Sequence, residues 1–159
     1  MESFSRRLRH AVEQETPRLW AIPERAAGER PGDDESWSKK QELGHLIDSA
    51  VNNRVRFRKA ALEGEYAGPT YDGRGGVDMG GYADAPWMEL IGHWETANGA
   101  LSVLVERIPE ERSMARCRIG EAVTLEFLID DYISHIQHHV DHILGREHLT
   151  EYAGAKTGI

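Results

Sequence analysis

The first half of the chain contains two stretches in which apolar residues recur at helical spacing. The first covers about residues 3–15 and is followed by Pro17, which predicts that the helix ends or kinks there. The second follows Ser38, whose spacing from Gln41 is that of a capping box. Gly64 is placed to end this helix, because glycine readily adopts the left-handed conformation found just after helices.

Two further helices are predicted in the second half of the chain. One covers about residues 84–108, with Pro86 in its first turn and Pro109 after its end. The other covers about residues 124–144 and precedes Gly145. The apolar faces of the four helices comprise Phe4, Leu8, Ala11 and Val12; Leu43, Leu46, Ile47, Ala50, Val51, Phe57 and Ala61; Leu90, Ile91, Trp94, Leu101, Leu104, Val105 and Ile108; and Leu125, Leu128, Ile129, Tyr132, Ile136, Val140 and Ile143.

The segments between these helices are long and rich in turn residues. Residues 21–36 carry prolines, glycines and an acidic run, and residues 64–84 contain seven glycines. Residues 73–76 (GRGG) lack the preceding strand and the following Gly-Lys-Ser/Thr of a phosphate loop, so we interpret them as plain flexible loop. No stretch alternates as a strand does. The pattern predicts an all-α four-helix bundle whose long connections permit crossovers.

Length and composition narrow the class of protein. A chain of 159 residues, 40% of them hydrophobic, is expected to form one domain over residues 1–159, with a motif-bearing core at about 36–145 and a loose polar tail at 146–159. The formal charge of −8 argues against nucleic-acid binding. No apolar run predicts a membrane span or a signal peptide, and Cys117 is the single cysteine. We therefore expect a cytoplasmic protein without disulfides or a cysteine zinc cluster.

Histidine is the residue type that indicates chemistry. Four of the eight histidines lie between residues 135 and 142. His135 and His139, four residues apart, share the apolar face of the fourth helix and should point inward. A metal ion shared by the pair explains this, because buried polar groups without partners are costly and the spacing is that of helix-borne zinc sites. Ordinary histidines are the alternative, which is weakened because His138 and His142 repeat the spacing on the adjoining face.

A third metal ligand must come from another helix. His45 on the second helix is the best candidate, with His93 and then His10 as rivals. His45 lies off the apolar face of its helix, so helical periodicity alone does not select it. Asp48 and Asp131 are candidates to orient the imidazole rings as hydrogen-bond acceptors.

A polar stripe on the second helix begins at His45. It continues through Ser49, Asn52 and Arg56 at helical spacing. A solvated face explains such a stripe about as well as a functional site does. The stripe lacks the Lys and Glu that usually cover a solvated face, which favours a site.

Ordered motifs over about residues 36–145 resemble those of the DinB-like superfamily, and within it the YfiT-like proteins. The motifs are residues 37–41 (WSKKQ), residues 44–50 (GHLIDSA) with Asn52, Arg56 and Phe57, then Trp94 with Asn98, residues 131–132 (DY) and residues 135–143 (HIQHHVDHI). Gln41 departs from the pattern, since the family often has Glu there, but it keeps the capping box.

The resemblance implies a four-helix bundle that holds one divalent metal ion through three histidines. Carried over by position, the ligands are His45, His135 and His139, whereas His138 and His142 match family histidines that are not the usual ligands. The coordination positions left to water are those expected of a catalytic site. Zinc or nickel is expected first, and iron or manganese also suits three imidazoles. A homodimer is implied as well.

Family members include thiol S-transferases, so the first function expected is the transfer of a low-molecular-weight thiol to an electrophile. A bound metal lowers the pKa of a thiol and makes the nucleophilic thiolate available. Asn52 and Arg56 would hold a carboxylate of the thiol or substrate, Trp94 would form an aromatic wall, and Tyr132 would donate a hydrogen bond.

Two other functions remain open. In a metal-dependent hydrolase, the metal would activate a water molecule, and His138 or His142 would take up the proton. In a non-catalytic stress protein, the bundle would bind a metal or a small ligand. A small molecule is the expected partner in each case.

Overall fold

The computed structural model describes residues 1–32 and 36–146, which are mostly helical. In chain order the helices are α1 (Glu2–Trp20), α2 (Glu24–Gly28), α3 (Lys39–Glu63), α4 (Gly73–Gly80), α5 (Trp87–Glu106) and α6 (Leu125–Ile143), with a 3₁₀ turn at Glu110–Arg112. The four long helices, α1, α3, α5 and α6, form the predicted four-helix bundle.

The bundle does not follow the order of a simple up-and-down chain. Helices α1 and α3 each pack against both α5 and α6, which gives the order α1–α5–α3–α6 around the core. Large side chains from three of these helices are fully buried at the centre: Phe57, Trp94, Leu101 and Tyr132. The pairing of α3 with α6 matters most here, because it brings His45 to the histidine-rich helix.

The capping residues act as predicted. The Ser38 side chain accepts from the Gln41 backbone N–H, and the Gln41 side chain accepts from the Ser38 N–H at 3.1 Å. Gly64 follows α3 with a φ of 83°. Thr124 caps the start of α6, and Gly145 lies just beyond its end.

Helix α1 is longer than predicted, because it passes through Pro17 and ends at Trp20. The extra turn buries Leu19 completely, and the Leu19 carbonyl accepts from the Trp87 indole N–H at 2.9 Å. Packing of this turn offsets the backbone hydrogen bond that proline cannot make. Helix α5 starts three residues later than predicted, with Pro86 as its N-cap.

The expectation of no strands is wrong. Three short strands, β1 (Glu65–Ala67), β2 (Arg116–Arg118) and β3 (Ala122–Thr124), form a sheet in that order. The pair β1–β2 is parallel, and β2–β3 is antiparallel. Strands of three residues are too short to show the alternation on which sequence-based prediction depends.

The flexible-loop interpretation of residues 73–76 is also wrong, since they form the start of α4. The Asp72 side chain caps this helix by accepting from the Gly75 N–H at 2.9 Å, and Val77 is buried beneath it. Glycine lets α4 approach α3 closely: a Cβ at Gly76 would lie 3.3 Å from the Asp48 carboxylate. The other long connection likewise contains a helix, α2.

Tyr82 holds the end of this segment against α3. Its hydroxyl donates to Asp48 Oδ1 at 2.6 Å, and its ring lies on Gly44, where a Cβ would come within 2.1 Å of ring carbon. The segment from α4 to Tyr82 is therefore packed onto the turn of α3 that carries His45.

The surroundings of two further residues, Val51 and Arg146, differ from what the sequence predicts. The apolar pattern predicts that Val51 lies on the buried face of its helix, but Val51 is 56% exposed because it lies about 100° around the helix from buried Ala50. Arg146, at the start of the expected loose tail, pairs with Glu15 at 2.9 Å and with Asp141 at 3.1 Å. Residues 147–159 and the acidic residues 33–35 lie outside the described residues. Within the described part of the chain, no helix has the length and apolar character needed to cross a membrane.

Candidate metal centre

Three imidazole rings meet where the first turns of α3 pack against α6. His45 comes from α3, and His135 and His139 come from α6; we call these three residues the inner histidine cluster. The Nε2 atoms of His45 and His135 are 3.1 Å apart. The His139 ring centre lies 4.7 Å from that of His45 and 4.4 Å from that of His135. One nitrogen from each ring lies within 4.8 Å of the others.

This spacing fits a metal ion. Zinc–nitrogen bonds of about 2.0–2.1 Å at tetrahedral angles place two ligand nitrogens about 3.3 Å apart. The 3.1 Å between the Nε2 atoms of His45 and His135 is close to that distance. Of the three candidates for the third histidine, the structure brings His45 to the pair, whereas His10 and His93 are exposed on other helices.

Burial keeps the cluster in the form that can bind metal. Burial, together with the neighbouring His139, lowers the pKa of His45 to about 4. Burial and the nearby imidazoles also hold the pKa of His135 well below its ordinary value. Both rings are neutral at physiological pH, and neutral imidazole is the ligand form of histidine.

Polar side chains from α3 orient the two α6 rings. Glu42 Oε1 lies 2.5 Å from His139 Nδ1 and 3.4 Å from His142 Nδ1. Burial raises the pKa of Glu42, but its contacts with these histidines lower it by more, so the carboxylate is ionised. Ser49 Oγ lies 3.4 Å from His135 Nδ1. Carboxylate and hydroxyl contacts of this kind fix the ring orientation of metal-binding histidines.

His45 itself lacks such a contact. Its Nδ1 atom is buried and has no hydrogen-bond partner among the described residues. Asp48, expected to orient an imidazole, instead accepts from Tyr82. The His45 ring is held by packing between aromatic rings, with Trp37 at 5.1 Å and Tyr71 at 6.4 Å between ring centres.

A buried polar region adjoins the inner histidine cluster. Arg56, only 3% exposed, lies with its guanidinium 5.7 Å from the centre of the Tyr71 ring. Tyr71 thus contacts both His45 and Arg56. Burial raises the pKa of Tyr71, so its phenol keeps the proton. Asn53 is fully buried and accepts from Arg56 at 3.5 Å.

The residues predicted to bind substrate occupy different environments. Asn52 is half-buried and donates to the Asp48 carbonyl at 3.0 Å, while its neighbour Asn53 faces the polar region. Trp94 and Tyr132 are fully buried in the core. The Tyr132 hydroxyl donates to Asn98 at 2.6 Å, and Asn98 donates to the Trp94 carbonyl at 2.9 Å.

His138 and His142 lie on the outer side of α6. Their ring centres are 4.2 Å apart, and the His138 ring lies 5.3 Å from that of His139. His142 has a 43% exposed side chain and contacts Glu42. Both residues are therefore next to the inner histidine cluster, as their spacing predicts.

The site also contains three residues that the sequence patterns do not predict: Glu42, Asn53 and Tyr71. Glu42 precedes His45 by three residues, so it lies one turn earlier on the same side of α3, which is a detectable signal. Asn53 follows Ser49 by four residues, a better match to the stripe than Asn52. Tyr71 lies in the glycine-rich connection, where no periodicity marks it.

A four-helix bundle with this cluster at α3 and α6 is the architecture expected of the DinB-like superfamily. No family model matches the chain. The Bacillus subtilis (strain 168) protein named "Putative metal-dependent hydrolase YfiT" is 25% identical over 146 residues, covering 90% of this chain and 78% of that protein. The solved structure of Bacillus subtilis YfiT, described as having an unusual four-helix bundle topology, matches with a TM-score of 0.77 and 20% identity, covering 91% of this chain and 85% of YfiT.

Mycothiol-dependent maleylpyruvate isomerase shares the fold at lower identity. Its solved structure matches with a TM-score of 0.73 and 12% identity, covering 87% of this chain and 58% of the isomerase. A mutant of that enzyme gives a TM-score of 0.72. The chain is similar in sequence to YfiT over 90% of its length and shares its fold, which agrees with the resemblance to the YfiT-like proteins.

Proposed function

We propose that the protein is a metal-dependent enzyme that joins a low-molecular-weight thiol to an electrophilic small molecule. One divalent ion, zinc or nickel before iron or manganese, is held by His45, His135 and His139. The observation that carries this proposal is that one nitrogen from each of these rings lies within 4.8 Å of the others. Three protein ligands leave coordination open for a reactant.

The ion supplies one piece of chemistry, which is to lower the pKa of a bound thiol so that the nucleophilic thiolate exists at neutral pH. The chain keeps the ligands ready for it. Burial holds His45 and His135 neutral, Glu42 orients His139, and Ser49 orients His135. Preformed geometry of this kind removes the ordering that metal binding would otherwise require.

Arg56 gives the adjoining polar region its charge and its specificity. A guanidinium suits a carboxylate, which it binds through two parallel hydrogen bonds, and several low-molecular-weight thiols, such as glutathione and cysteine, carry a free carboxylate. Tyr71, between Arg56 and His45, keeps its proton and offers a further donor. Asn53, which accepts from Arg56, faces this region, whereas Asn52 lies on the neighbouring face of α3 and donates to the Asp48 carbonyl.

Trp94 and Tyr132 act in this proposal through position. Both are fully buried, and Asn98 links the Tyr132 hydroxyl to the Trp94 backbone between α6 and α5. In this proposal the two residues hold α5 and α6 together and so support the wall of the site.

A hydrolase is the second candidate. It is favoured by the name of the Bacillus subtilis relative and by the nearness of two further imidazoles. In this case the ion would supply an activated water, and His138 or His142 would take up its proton.

Metal-loaded protein tests the two reactions side by side. Conjugation of 1-chloro-2,4-dinitrobenzene is measured with bacillithiol, mycothiol, glutathione or cysteine as the thiol, and ester hydrolysis is measured with 4-nitrophenyl acetate without thiol. We expect thiol-dependent conjugation that is lost in His135→Ala together with the metal. In Arg56→Ala the KM for the thiol should rise while metal content is unchanged.

The matched control is His93→Ala, which removes an exposed histidine of α5 and should change nothing. Turnover without thiol that is abolished in His142→Ala or His138→Ala would favour the hydrolase hypothesis over the transferase hypothesis. Metal binding without turnover of either probe would favour a binding protein.

We also propose that the protein is a homodimer. Apolar side chains on the outer faces of α3 and α5 are exposed, among them Val51, Leu62 and Val103. Exposed apolar area is often covered by association. Sedimentation equilibrium should give twice the chain mass of 17.9 kDa, and a monomer at micromolar concentration would contradict this.

A further inference from the structure

A groove lies at the opposite end of α3 from the inner histidine cluster. The last turns of α3, the end of α5 and the 3₁₀ turn after α5 enclose about 550 Å³ there. We call this space the arginine groove, because it is lined by Arg58, Arg107 and Arg112. Arg58 follows His45 by 13 residues on α3, which corresponds to a rise of about 20 Å along the helix. The groove is therefore distant from the metal centre.

The arginine groove is also separate from the polar region proposed to hold the thiol or substrate. Arg56 of that region is 3% exposed and lies against Tyr71, whereas Arg58 is exposed. The two arginines lie about 200° apart around α3, because each residue turns the helix by about 100°. A ligand in the groove thus occupies a different side of α3 from a ligand at Arg56.

The floor of the groove is apolar. Ile108 is 4% exposed, and Ala61 and Leu104, which also line the groove, are half-buried. Leu62 lines the same space and is 73% exposed. Ligand pockets of about 300–1,000 Å³ are lined mostly by apolar side chains, with a few polar groups that fix the orientation of the ligand. The groove has the size and the lining to hold the apolar body of a small molecule.

Positive charge surrounds this apolar floor. Among residues 1–32 and 36–146, no carboxylate forms an ion pair with any of the three arginines of the groove. Elsewhere on the surface, Arg7 pairs with Asp130 at 2.6 Å and Arg9 pairs with Glu106 at 2.8 Å. Glu111 also lines the groove, so three arginines and one glutamate give its wall a net charge of +2 in a chain of formal charge −8.

Arg112 is placed by the end of α3. Gly64, the residue just after this helix, leaves room for it, since a Cβ at Gly64 would lie 2.7 Å from Arg112 Nη1. The C-terminus of a helix carries partial negative charge, which attracts a guanidinium. The half-buried Arg112 is therefore positioned before a ligand arrives, which reduces the entropy lost on binding.

We propose that the arginine groove binds a small organic anion with an apolar body, such as an alkyl or aryl carboxylate. The apolar floor takes the body, and the arginines bind the carboxylate through charge-assisted hydrogen bonds. The formal charge of −8 opposes an extended anionic surface, such as a membrane or a nucleic acid, because most of the chain would repel it. A single small anion meets mainly the local positive charge, because salt screens charges more than about 8–10 Å away.

Calorimetric titration with octanoate tests this proposal, with 1-octanol as the uncharged comparison. We expect saturable binding of one octanoate per full-length chain, and binding of octanol that is weaker by about tenfold or more. The affinity should be the same in zinc-loaded and metal-free protein, since the groove is distant from the metal centre. Arg107→Gln and Arg112→Gln should each weaken octanoate binding by about tenfold and leave metal content unchanged.

Two other arginines of α3 supply the controls. Arg54→Gln removes an exposed arginine outside the groove and should leave octanoate binding unchanged. Arg56→Ala should also leave it unchanged, which distinguishes the groove from the region of the proposed function. The absence of saturable binding, or octanol binding as tight as that of octanoate, would overturn the proposal. Loss of octanoate binding in Arg56→Ala but not in Arg107→Gln would also overturn it.

Two further measurements address other occupants of the groove. Leu62 also belongs to the face proposed for the homodimer, so octanoate binding is measured across the protein concentrations used for sedimentation equilibrium. Binding that disappears as the protein associates would show that a second copy covers the groove, which would overturn the proposal. Co-sedimentation with phosphatidylglycerol vesicles that is lost in Arg107→Gln, without binding of free octanoate, would assign the groove to a membrane surface instead.

Discussion

The Nε2 atoms of His45 and His135 lie 3.1 Å apart, although 90 residues separate the two histidines in the chain. Both rings are buried, and burial lowers the pKa of each, so the contact joins two neutral imidazoles. Without metal, one nitrogen must donate its proton to the other. With metal, both lone pairs face the ion, and the N–H groups must lie on the opposite nitrogens.

Replacing either histidine of this pair should remove the tightly bound ion. In His45→Ala or His135→Ala, loss of one of three ligands should weaken zinc affinity by more than the about 10–100-fold that follows loss of an orienting residue. Zinc bound after dialysis against a weak chelator measures the effect. The exposed His10→Ala variant is the control and should bind as the unmodified chain does. Full occupancy in the double variant His45→Ala/His135→Ala would show that the inner histidine cluster is not the site.

Glu42 should determine how tightly His139 binds the ion. Glu42→Gln keeps the shape of the side chain but removes the charge, so the His139 ring is less basic and less well held. We expect the zinc affinity of the inner histidine cluster to fall about 10–100-fold. Asp130→Asn is a matched control: this carboxylate on α6 is paired with Arg7 at 2.6 Å on the exposed surface. Equal effects of the two variants would mean that total charge, and not the contact with His139, is responsible.

Periodicity along α6 could predict two of the three residues of the inner histidine cluster, and the rest of the site depended on packing between helices. His135 and His139 share a face with the buried residues Tyr132 and Ile136, so their inward direction follows from the sequence. Periodicity alone did not select His45; the polar stripe that begins at His45 and the family resemblance favoured it, and the packing of α3 against α6 brings it to the pair. Tyr71 could not be predicted, because its position depends on how the glycine-rich connection folds onto α3.

The fold, like the site, could be predicted from the sequence only in part. Strong local signals, such as the capping box at Ser38 and the left-handed Gly64, predicted where helices begin and end. Helix α1 continued past Pro17 because burial of Leu19 outweighed a local signal. The sheet and α4 were missed because their stability comes from contacts distant in sequence, such as the pairing of Tyr66 with Cys117.

The metal-free protein should lose stability as the pH falls from about 6.5 to about 4. The unfolded chain takes up a proton on His45 below about pH 6.5, whereas the folded chain does so only near its pKa of about 4. The unfolded state therefore binds more protons in this range, and the free energy of unfolding falls with decreasing pH. His45 contributes on the order of 3 kcal/mol to the loss, and His135 acts in the same direction.

Urea denaturation at intervals across this pH range measures the effect. In His45→Gln the slope of stability against pH should decrease, whereas His93→Gln, which alters an exposed histidine, should leave it unchanged. Added zinc should steepen the dependence, since protons compete with metal for the imidazoles. Equal stability of the metal-free protein at pH 6.5 and pH 4.5 would contradict the lowered pKa values.

Gly44 and Gly99 are both helical glycines, and replacement by alanine should affect stability in opposite directions. A Cβ at Gly99 on α5 meets nothing within 4 Å, so Gly99→Ala should gain up to about 1 kcal/mol from helix propensity.

A Cβ at Gly44 on α3 would lie 2.1 Å from the Tyr82 ring, so Gly44→Ala must displace that ring. Displacement breaks the 2.6 Å hydrogen bond from Tyr82 to Asp48, and overpacking costs about 1–3 kcal/mol. Gly44→Ala should therefore lower the free energy of unfolding despite the better helix former, and Tyr82→Phe should lower it by about 1.5–3 kcal/mol. Urea denaturation of the metal-free variants at pH 7.5 measures all three. A stabilised Gly44→Ala variant would show that Tyr82 does not pack on α3 as the structure describes.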